Sequence, residues 1–250
     1  MKGVALITAS ARRIGRLLSL AAAEAGYDLA LHHRSTPEDA LSLVAEVEAM
    51  GRRAIVLPAD LTAPGAPGAL IAAAGELGPV TLLVNNASLF EDDSLATVTA
   101  DALDAHMAAN LTAPVLLSQA FAAALPAGGR GLIVNLLDQR VWRPNPLFFS
   151  YSLSKAALWH ATRTMAQALA PAVRVNAIGP GPTLPSVHQV PGEFEAEAAG
   201  TPLAHPVDPA EIAAALRYLI DAPSVTGQMI AVDAGQHLGW RTPDIVDPKA

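Results

Sequence analysis

The sequence predicts a single α/β domain built on a parallel sheet, and three observations carry that expectation. Short apolar runs bounded by turn signals alternate with longer alanine- and leucine-rich stretches, the rhythm of consecutive βαβ units. No Ser/Gly/Pro-rich linker, internal repeat or low-complexity tract divides the chain. Its 250 residues are enough to bury a full core as one domain, 1–250.

The first strand is expected at Val4–Ile7, ahead of a helix over Ile14–Ala25. Asp28–His32, Ala54–Pro58, Leu82–Asn85, Leu132–Asn135, Val173–Ile178 and Met229–Val232 complete a set of seven strands. The intervening helices are expected at Pro37–Met50, Ala66–Leu77, Ala100–Leu125, Ser152–Leu169 and Pro209–Leu219. Leu184–Asp208 breaks the rhythm with Pro185, Pro191, Pro202 and Pro206, and Glu193, Glu195 and Glu197 give it one short acidic helix. A long irregular excursion of this kind often forms a lid over a site.

Hydrophobic residues make up 52% of the chain and charged residues 16%, a balance that raises the question of a membrane protein. The longest charge-free stretch, Ala105 to Gly129, is interrupted by Asn110, Thr112, Pro114, Ser118 and Gln119. A spanning helix wants about 20 mostly apolar residues, so no transmembrane segment is expected. The absence of cysteine excludes disulfides and thiolate metal sites. The apolar run at Val4–Ile7 is too short for a signal-peptide core and is followed at once by Arg12 and Arg13, so a cytoplasmic location is expected. Net charge is −7 and no basic cluster exceeds Arg12-Arg13 or Arg52-Arg53, which leaves no footprint for nucleic acid. The expected partner is a small molecule.

After the first strand, Thr8-Ala9-Ser10-Ala11-Arg12-Arg13-Ile14-Gly15 leads into a helix. Such a turn aims backbone N–H groups and the helix dipole above the sheet, a geometry that favours phosphate. Only Gly15 survives of the usual glycine-rich fingerprint, so by itself the turn fits an ordinary βα connection with one packing glycine equally well. The second strand ends in His32-His33-Arg34-Ser35. In a dinucleotide fold an acid at that strand end pairs with two ribose hydroxyls, whereas arginine and a hydroxyl suit a 2′-phosphate, so NADP(H) is expected over NAD. A solvated polar loop is the alternative. None of the seven histidines pairs with another ligand at metal spacing, and no metal site is expected.

Lys155 is one of three lysines, the others being Lys2 and Lys249 near the termini, and it lies four residues after Tyr151. On a helix that spacing places both side chains on one face. An ammonium beside a phenol lowers the phenol pKa, so Tyr151 is expected to exchange a proton near neutral pH. An amphipathic helix surface would show the same spacing.

Tyr151-Ser152-Leu153-Ser154-Lys155 resembles the Tyr-x-x-x-Lys pair of the short-chain dehydrogenase/reductase family. Further landmarks follow in family order: the turn Thr8–Gly15, Asp60-Leu61, Asn85-Asn86-Ala87, Asn110, and Arg174-Val175-Asn176 leading into Pro180-Gly181. The resemblance covers nearly the whole chain. It implies a doubly wound Rossmann fold, helices on both faces of the sheet, an NAD(P)-dependent oxidoreductase and commonly a homotetramer. It also implies that Ser10, Arg13, Ile14, His33, Arg34, Ser35, Asp60, Leu61, Asn86, Ala87, Ser88, Tyr151, Lys155, Pro180 and Gly181 surround the cofactor, with Asn110 holding a water chain behind Lys155.

Two departures refine the expected chemistry. Asp138 stands thirteen residues before Tyr151, where the family usually has serine, and no serine or threonine between Gly131 and Phe149 replaces it. A reduced carbonyl gathers negative charge that an ionised Asp138 opposes, whereas reduction of a protonated C=N bond consumes positive charge that a carboxylate stabilises. Held protonated, Asp138 would instead act as an acid beside Tyr151. Arg13 replaces the middle glycine of the turn and would face phosphates and the substrate opening together.

Both departures are similar to pteridine reductases, members of the family that reduce dihydropterins and dihydrofolate with NADPH. The similarity extends to His33-Arg34-Ser35 and Asn86-Ala87-Ser88-Leu89-Phe90, and implies that Ser88 contacts cofactor or pterin and that Phe90 stacks the flat ring. Capping of the core is the plainer role for Phe90. The expected substrate groups are therefore Arg13, Ser88, Phe90, Asp138 and Tyr151. Trp142, Phe148 and Phe149 are candidates for the pocket wall or for oligomer packing, and Ala9 must avoid positive φ or bear strain. A carbonyl reductase with a drifted Asp138 is the alternative enzyme, and a dinucleotide-binding regulator without turnover is the alternative of another class.

Overall fold

The computed structural model describes residues 2–186 and 188–240; Lys249 and part of the 184–208 excursion, Val187, fall outside it. The strands are β1 (Val4–Ile7), β2 (Asp28–His33), β3 (Ala54–Pro58), β4 (Val80–Asn85), β5 (Gly131–Leu136), β6 (Val173–Pro180) and β7 (Met229–Val232). They form one seven-stranded sheet in the order β3-β2-β1-β4-β5-β6-β7, and every pairing is parallel. The helices are α1 (Arg13–Glu24), α2 (Pro37–Ala49), α3 (Ala66–Gly75), α4 (Ala100–Met107), α5 (Ala113–Ala124), α6 (Phe149–Leu169), α7 (Glu193–Ala199) and α8 (Pro209–Asp221). The short acidic helix of the excursion is α7.

Alternation along the strands divides the core in two. Ala5 and Ile7 of β1 pack with Leu18, Leu31, Leu43 and Leu216 on one face. Val4 and Leu6 pack with Leu83, Leu117, Phe121 and Ile133 on the other. Sheet order reverses between β1 and β4, where Ile7 is in register with both Leu31 and Val84. In open α/β sheets the crevice beyond the strand ends at such a reversal is the ligand position. Thr8, Arg34, Asn86, Asp138 and Gly181 all lie just past the strand ends on this side.

Two expected elements are corrected. The helix expected at Ala100–Leu125 is not continuous: α4 gives way to a π-turn at Ala108–Thr112 before α5 resumes. Pro114 has no N–H to give the carbonyl four residues back, at Asn110, and the backbone widens so that Ala113 N–H bonds the Ala108 carbonyl instead. Ala100–Ala124 is long and apolar enough by composition to cross a membrane, but it packs on α3 and α6 and buries Asn110, Leu117, Ser118 and Phe121. The other correction is the start of α6, which comes at Phe149 instead of Ser152 and takes Tyr151 into its first turn.

Candidate active site

At the β1 end, two residues of the turn into α1 adopt left-handed backbone without being glycine, Ala9 at φ 50° and Arg13 at φ 51°. Buried groups behind the turn fix it. The Thr8 hydroxyl accepts from the N–H groups of Asn86 and Ala87, both at 2.9 Å. The Asn86 amide donates to the carbonyls of Thr8 at 3.0 Å and Ala9 at 3.1 Å. Ser10 is buried, and both its N–H and its hydroxyl donate to the His32 carbonyl. The His32 ring receives the Ala9 N–H at Nδ1 over 3.1 Å and donates from Nε2 to the Ala59 carbonyl over 3.0 Å. Burial lowers the His32 pKa, in keeping with this neutral tautomer.

The start of α1 has neither a side-chain cap nor an acidic residue in its first turn. Its leading N–H groups therefore remain available to an anion. A Cβ at Gly15 would lie 2.1 Å from the Ala9 carbonyl oxygen and 2.7 Å from the Asn86 amide, so only glycine lets the helix close on the turn. At the end of β2, His33 is buried and accepts the Thr36 N–H, while Arg34 and Ser35 are exposed. Asp60 accepts from Thr62, whose hydrogen bonds, with the charge of Arg34, hold its carboxyl below the usual range. Leu61 is buried in the core. Uncapped N–H groups, a glycine-closed turn and an exposed arginine with a hydroxyl at the end of β2 fit a dinucleotide carrying a 2′-phosphate.

At the β5 end, Asp138 caps a short 3₁₀ turn over Gln139–Val141. Its Oδ1 accepts the Arg140 N–H at 2.8 Å, and its Oδ2 accepts the Arg140 guanidinium at 3.2 Å and the Tyr151 hydroxyl at 3.0 Å. Two groups of Arg140 and the Tyr151 hydroxyl thus converge on one carboxyl. Lys155 is buried with its Nζ donating to the Leu136 carbonyl at 2.8 Å and lying 5.6 Å from the Tyr151 ring centre. The Asn110 amide donates to the Ser154 hydroxyl and the Leu89 carbonyl, and its oxygen accepts the Leu89 N–H and the Ser88 hydroxyl.

This geometry corrects the expected electrostatics. Burial and the neighbouring Asp138 push the Tyr151 phenol well above its usual range, with Arg140 opposing. Burial brings Lys155 down to about 8 against the pull of Asp138. Tyr151 is thus a protonated donor to Asp138 in the chain by itself, not a phenol brought to neutrality by its lysine.

Phe90 stacks on Phe148 with ring centres 4.3 Å apart, and Tyr151 meets Phe90 edge-on at 4.7 Å. The Arg140 guanidinium lies 5.3 Å from the Phe148 ring centre and 5.9 Å from that of Phe90. Of the three aromatics expected at the pocket wall, Trp142 is turned away onto Trp159 and His237. Hydrogen bonds and ring contacts join the 184–208 segment to the crevice: Arg13 Nη2 donates to the Leu184 carbonyl, His188 Nε2 to the Phe90 carbonyl, and the His188 ring meets those of Phe90 and Phe148 edge-on. Pro180 ends β6, and a Cβ on Gly181 would lie 2.6 Å from the Asp233 Cα.

Residues 8–237 match the family model described as enoyl-(acyl carrier protein) reductase. An uncharacterized oxidoreductase of Mycobacterium tuberculosis is 36% identical over 93% of this chain and 91% of its own length. The chain belongs to the short-chain dehydrogenase/reductase family. A 3-oxoacyl-[acyl-carrier-protein] reductase of Synechocystis is a further relative, 30% identical over 93% of this chain and 96% of its own. Among solved structures, FolM alternative dihydrofolate reductase 1 from Brucella suis, in complex with NADP, shares 45% identity. It covers 97% of this chain and 98% of that one, at a TM-score of 0.93.

Family landmarks located Asp138, Tyr151, Lys155 and Asn110 but not the groups that hold them. Arg140, His32, Asp93, His106 and Ser150 were missed. Two of them carried a signal: Arg140 is the first cation after the unusual aspartate, and Ser150 is the last hydroxyl before the tyrosine.

Proposed function

We propose that this short-chain dehydrogenase/reductase reduces the C=N bond of a dihydropterin or dihydrofolate-like heterocycle with NADPH. The observation that carries the proposal is the hydrogen bond of 3.0 Å from the Tyr151 hydroxyl to Asp138, at the position where the family pattern has serine. The likeness to a FolM dihydrofolate reductase supports the same substrate class.

NADPH, held at the start of α1 and at Arg34 and Ser35, would supply the hydride that the carbon of the C=N bond takes up. The Tyr151 hydroxyl relays a proton to the ring nitrogen and is reprotonated from solvent along its hydrogen bond with Asp138, so that one hydride and one proton turn C=N into CH–NH. Asp138 stabilises the positive charge of the protonated C=N group and orients the phenol. Arg140 offsets the charge of Asp138 in a partly buried setting, Lys155 tunes Tyr151 and would hold the cofactor ribose, and Asn110 supports the helix behind them through Ser154. Phe90 and Phe148 offer flat apolar faces to a planar ring. Arg13, Ser88 and the 184–208 segment close the substrate side as a lid. Ser10, Ile14, His33, Arg34, Ser35, Asp60, Leu61, Asn86, Ala87, Pro180 and Gly181 form the NADP(H) side. A cytoplasmic homotetramer completes the proposal.

Oxidation of NADPH with dihydrobiopterin, dihydromonapterin and dihydrofolate, beside ketones and quinones and with NADH as control, tests the substrate class. The expected result is turnover of a dihydropterin that falls by about 10²-fold or more in Asp138→Ala, the scale of a lost acid–base partner. Turnover of ketones that survives Asp138→Ala would assign the enzyme to carbonyl reduction instead.

A further inference from the structure

Between β4 and α4 the chain crosses the front of the site with no helix or strand, yet it carries Ser88 and Phe90. Asn110 holds Ser88 and Leu89. Past Phe90 a second anchor takes over. Asp93 receives the Phe149 N–H on its carbonyl at 3.1 Å and the Ser150 N–H on Oδ1 at 3.0 Å. Its Oδ2 accepts the Ser150 hydroxyl in a short hydrogen bond. Ser150 Oγ lies 2.8 Å from His106 Nδ1, and His106 Nε2 accepts the Glu91 N–H at 3.2 Å. Ser150 and His106 are both fully buried, so few alternatives in water compete with these bonds.

The start of α6 explains why a remote carboxylate is needed there. Phe148, its N-cap residue, has no hydrogen-bonding side chain and sits at φ 51° in the left-handed region. A helix start leaves its first N–H groups without internal partners and favours negative charge. Asp93 supplies the missing cap from another part of the chain, and Tyr151 is the next residue after the one it grips.

We propose that Asp93, Ser150 and His106 form a positioning unit that joins the loop bearing Phe90 to the helix start bearing Tyr151, so that substrate clamp and proton donor move as one body. None of the three touches the reacting atoms in this assignment. The edge contact of 4.7 Å between Phe90 and Tyr151 depends on both supports, and the unit sets it. Small displacements in such a site have large effects, about 10²-fold for 1 Å. The proposal takes the roles of Phe90 and Tyr151 from the preceding section, but the coupling itself is readable without substrate.

Amide hydrogen exchange on the full-length protein is the test, comparing wild type with Asp93→Ala, Ser150→Ala and the conservative Ser150→Thr. Segments 88–93 and 149–155 are expected to gain exchange together in either alanine variant, by about 10-fold or more, as a shared local opening requires. Ser150→Thr is expected to restore both. With whichever substrate turns over, kcat is expected to fall by about 10- to 100-fold while NADPH affinity stays within about threefold, the pattern of lost orientation. The double variant is expected to match the worse single one, because members of a unit are not additive. Exchange that rises in only one segment would overturn the proposal. So would a kcat loss that follows only the folded fraction, or independent additive effects. Coupled exchange without dihydropterin turnover would retain the unit and dismiss the substrate assignment alone. Should Asp93→Ala fail to fold, the two Ser150 variants decide.

Discussion

At the β1 end of the crevice the groups left facing outward are backbone N–H groups, and side chains behind them set their direction: Thr8, Ser10, His32 and Asn86. At the β5 end the facing groups are themselves side chains, Asp138, Tyr151 and the Phe90 ring, and other side chains hold them: Arg140, Asn110, Ser154 and Ser150. The first arrangement tolerates the loss of a glycine fingerprint, because conformation is enforced from the rear. The second is expected to be less tolerant, since two of its facing groups, Asp138 and Tyr151, carry a charge or a proton. Recognition is thus written in backbone at one end and chemistry in side chains at the other.

The sharpest way to break this comparison is Tyr151→Phe, which removes a facing proton and leaves the ring. Turnover is expected to fall by about 10³-fold or more with NADPH affinity nearly unchanged; steady-state rates beside a fluorescence titration of NADPH check it. Arg34→Ala probes a place where the β1 end also relies on a side chain. It is expected to weaken NADPH by about 10- to 100-fold and NADH far less, as loss of a charge-assisted phosphate contact should. Equal weakening of the two cofactors would refute the 2′-phosphate role.

Lys155→Met tests what burial costs the β5 end. Lys155 is lowered from 10.5 to about 8, so between those values the unfolded chain binds more protons and stability rises with pH. The penalty is fully present below about pH 8, where Lys155→Met is expected to be more stable by on the order of 2 kcal/mol after loss of the Leu136 hydrogen bond. Denaturant titrations at pH 7 and pH 10 should show that advantage shrinking as pH rises. The smallest effect belongs to Ala9→Gly, which relieves left-handed strain for up to about 1 kcal/mol, partly offset by the freer unfolded chain. Unchanged cofactor affinity in that variant would show that the rear supports, not the residue at 9, set the turn.

The strands were legible because each is a short apolar run, and β1, β3 and β7 begin and end where the pattern places them. Asp138, Tyr151 and Lys155 were legible by rarity and by family spacing. The break in the Ala100–Ala124 region had a signal in Pro114, but its apolar composition outweighed that signal as evidence for one long helix. The direction of the Tyr151 shift was not legible at all. Spacing puts Lys155 beside the tyrosine, but only the fold shows the ammonium turned to the Leu136 carbonyl and the phenol deep among apolar rings. Asp93, His106 and Ser150 escaped for a related reason: Ser150 bonds His106 over 44 residues and Asp93 over 57, through loops that have no period.

The start of the 184–208 segment meets the crevice through two backbone carbonyls, that of Leu184 with Arg13 and that of Phe90 with His188. Each contact is a thermodynamic link, and links are reciprocal. A ligand that draws Arg13 toward its phosphates alters the energy of the Leu184 bond, and one that displaces Phe90 alters the His188 bond. The free energy by which either ligand changes the order of this segment is the free energy by which that order changes the ligand's affinity. The segment is therefore linked to both halves of the crevice at once, a coupling separate from the direct contact that hydride transfer requires.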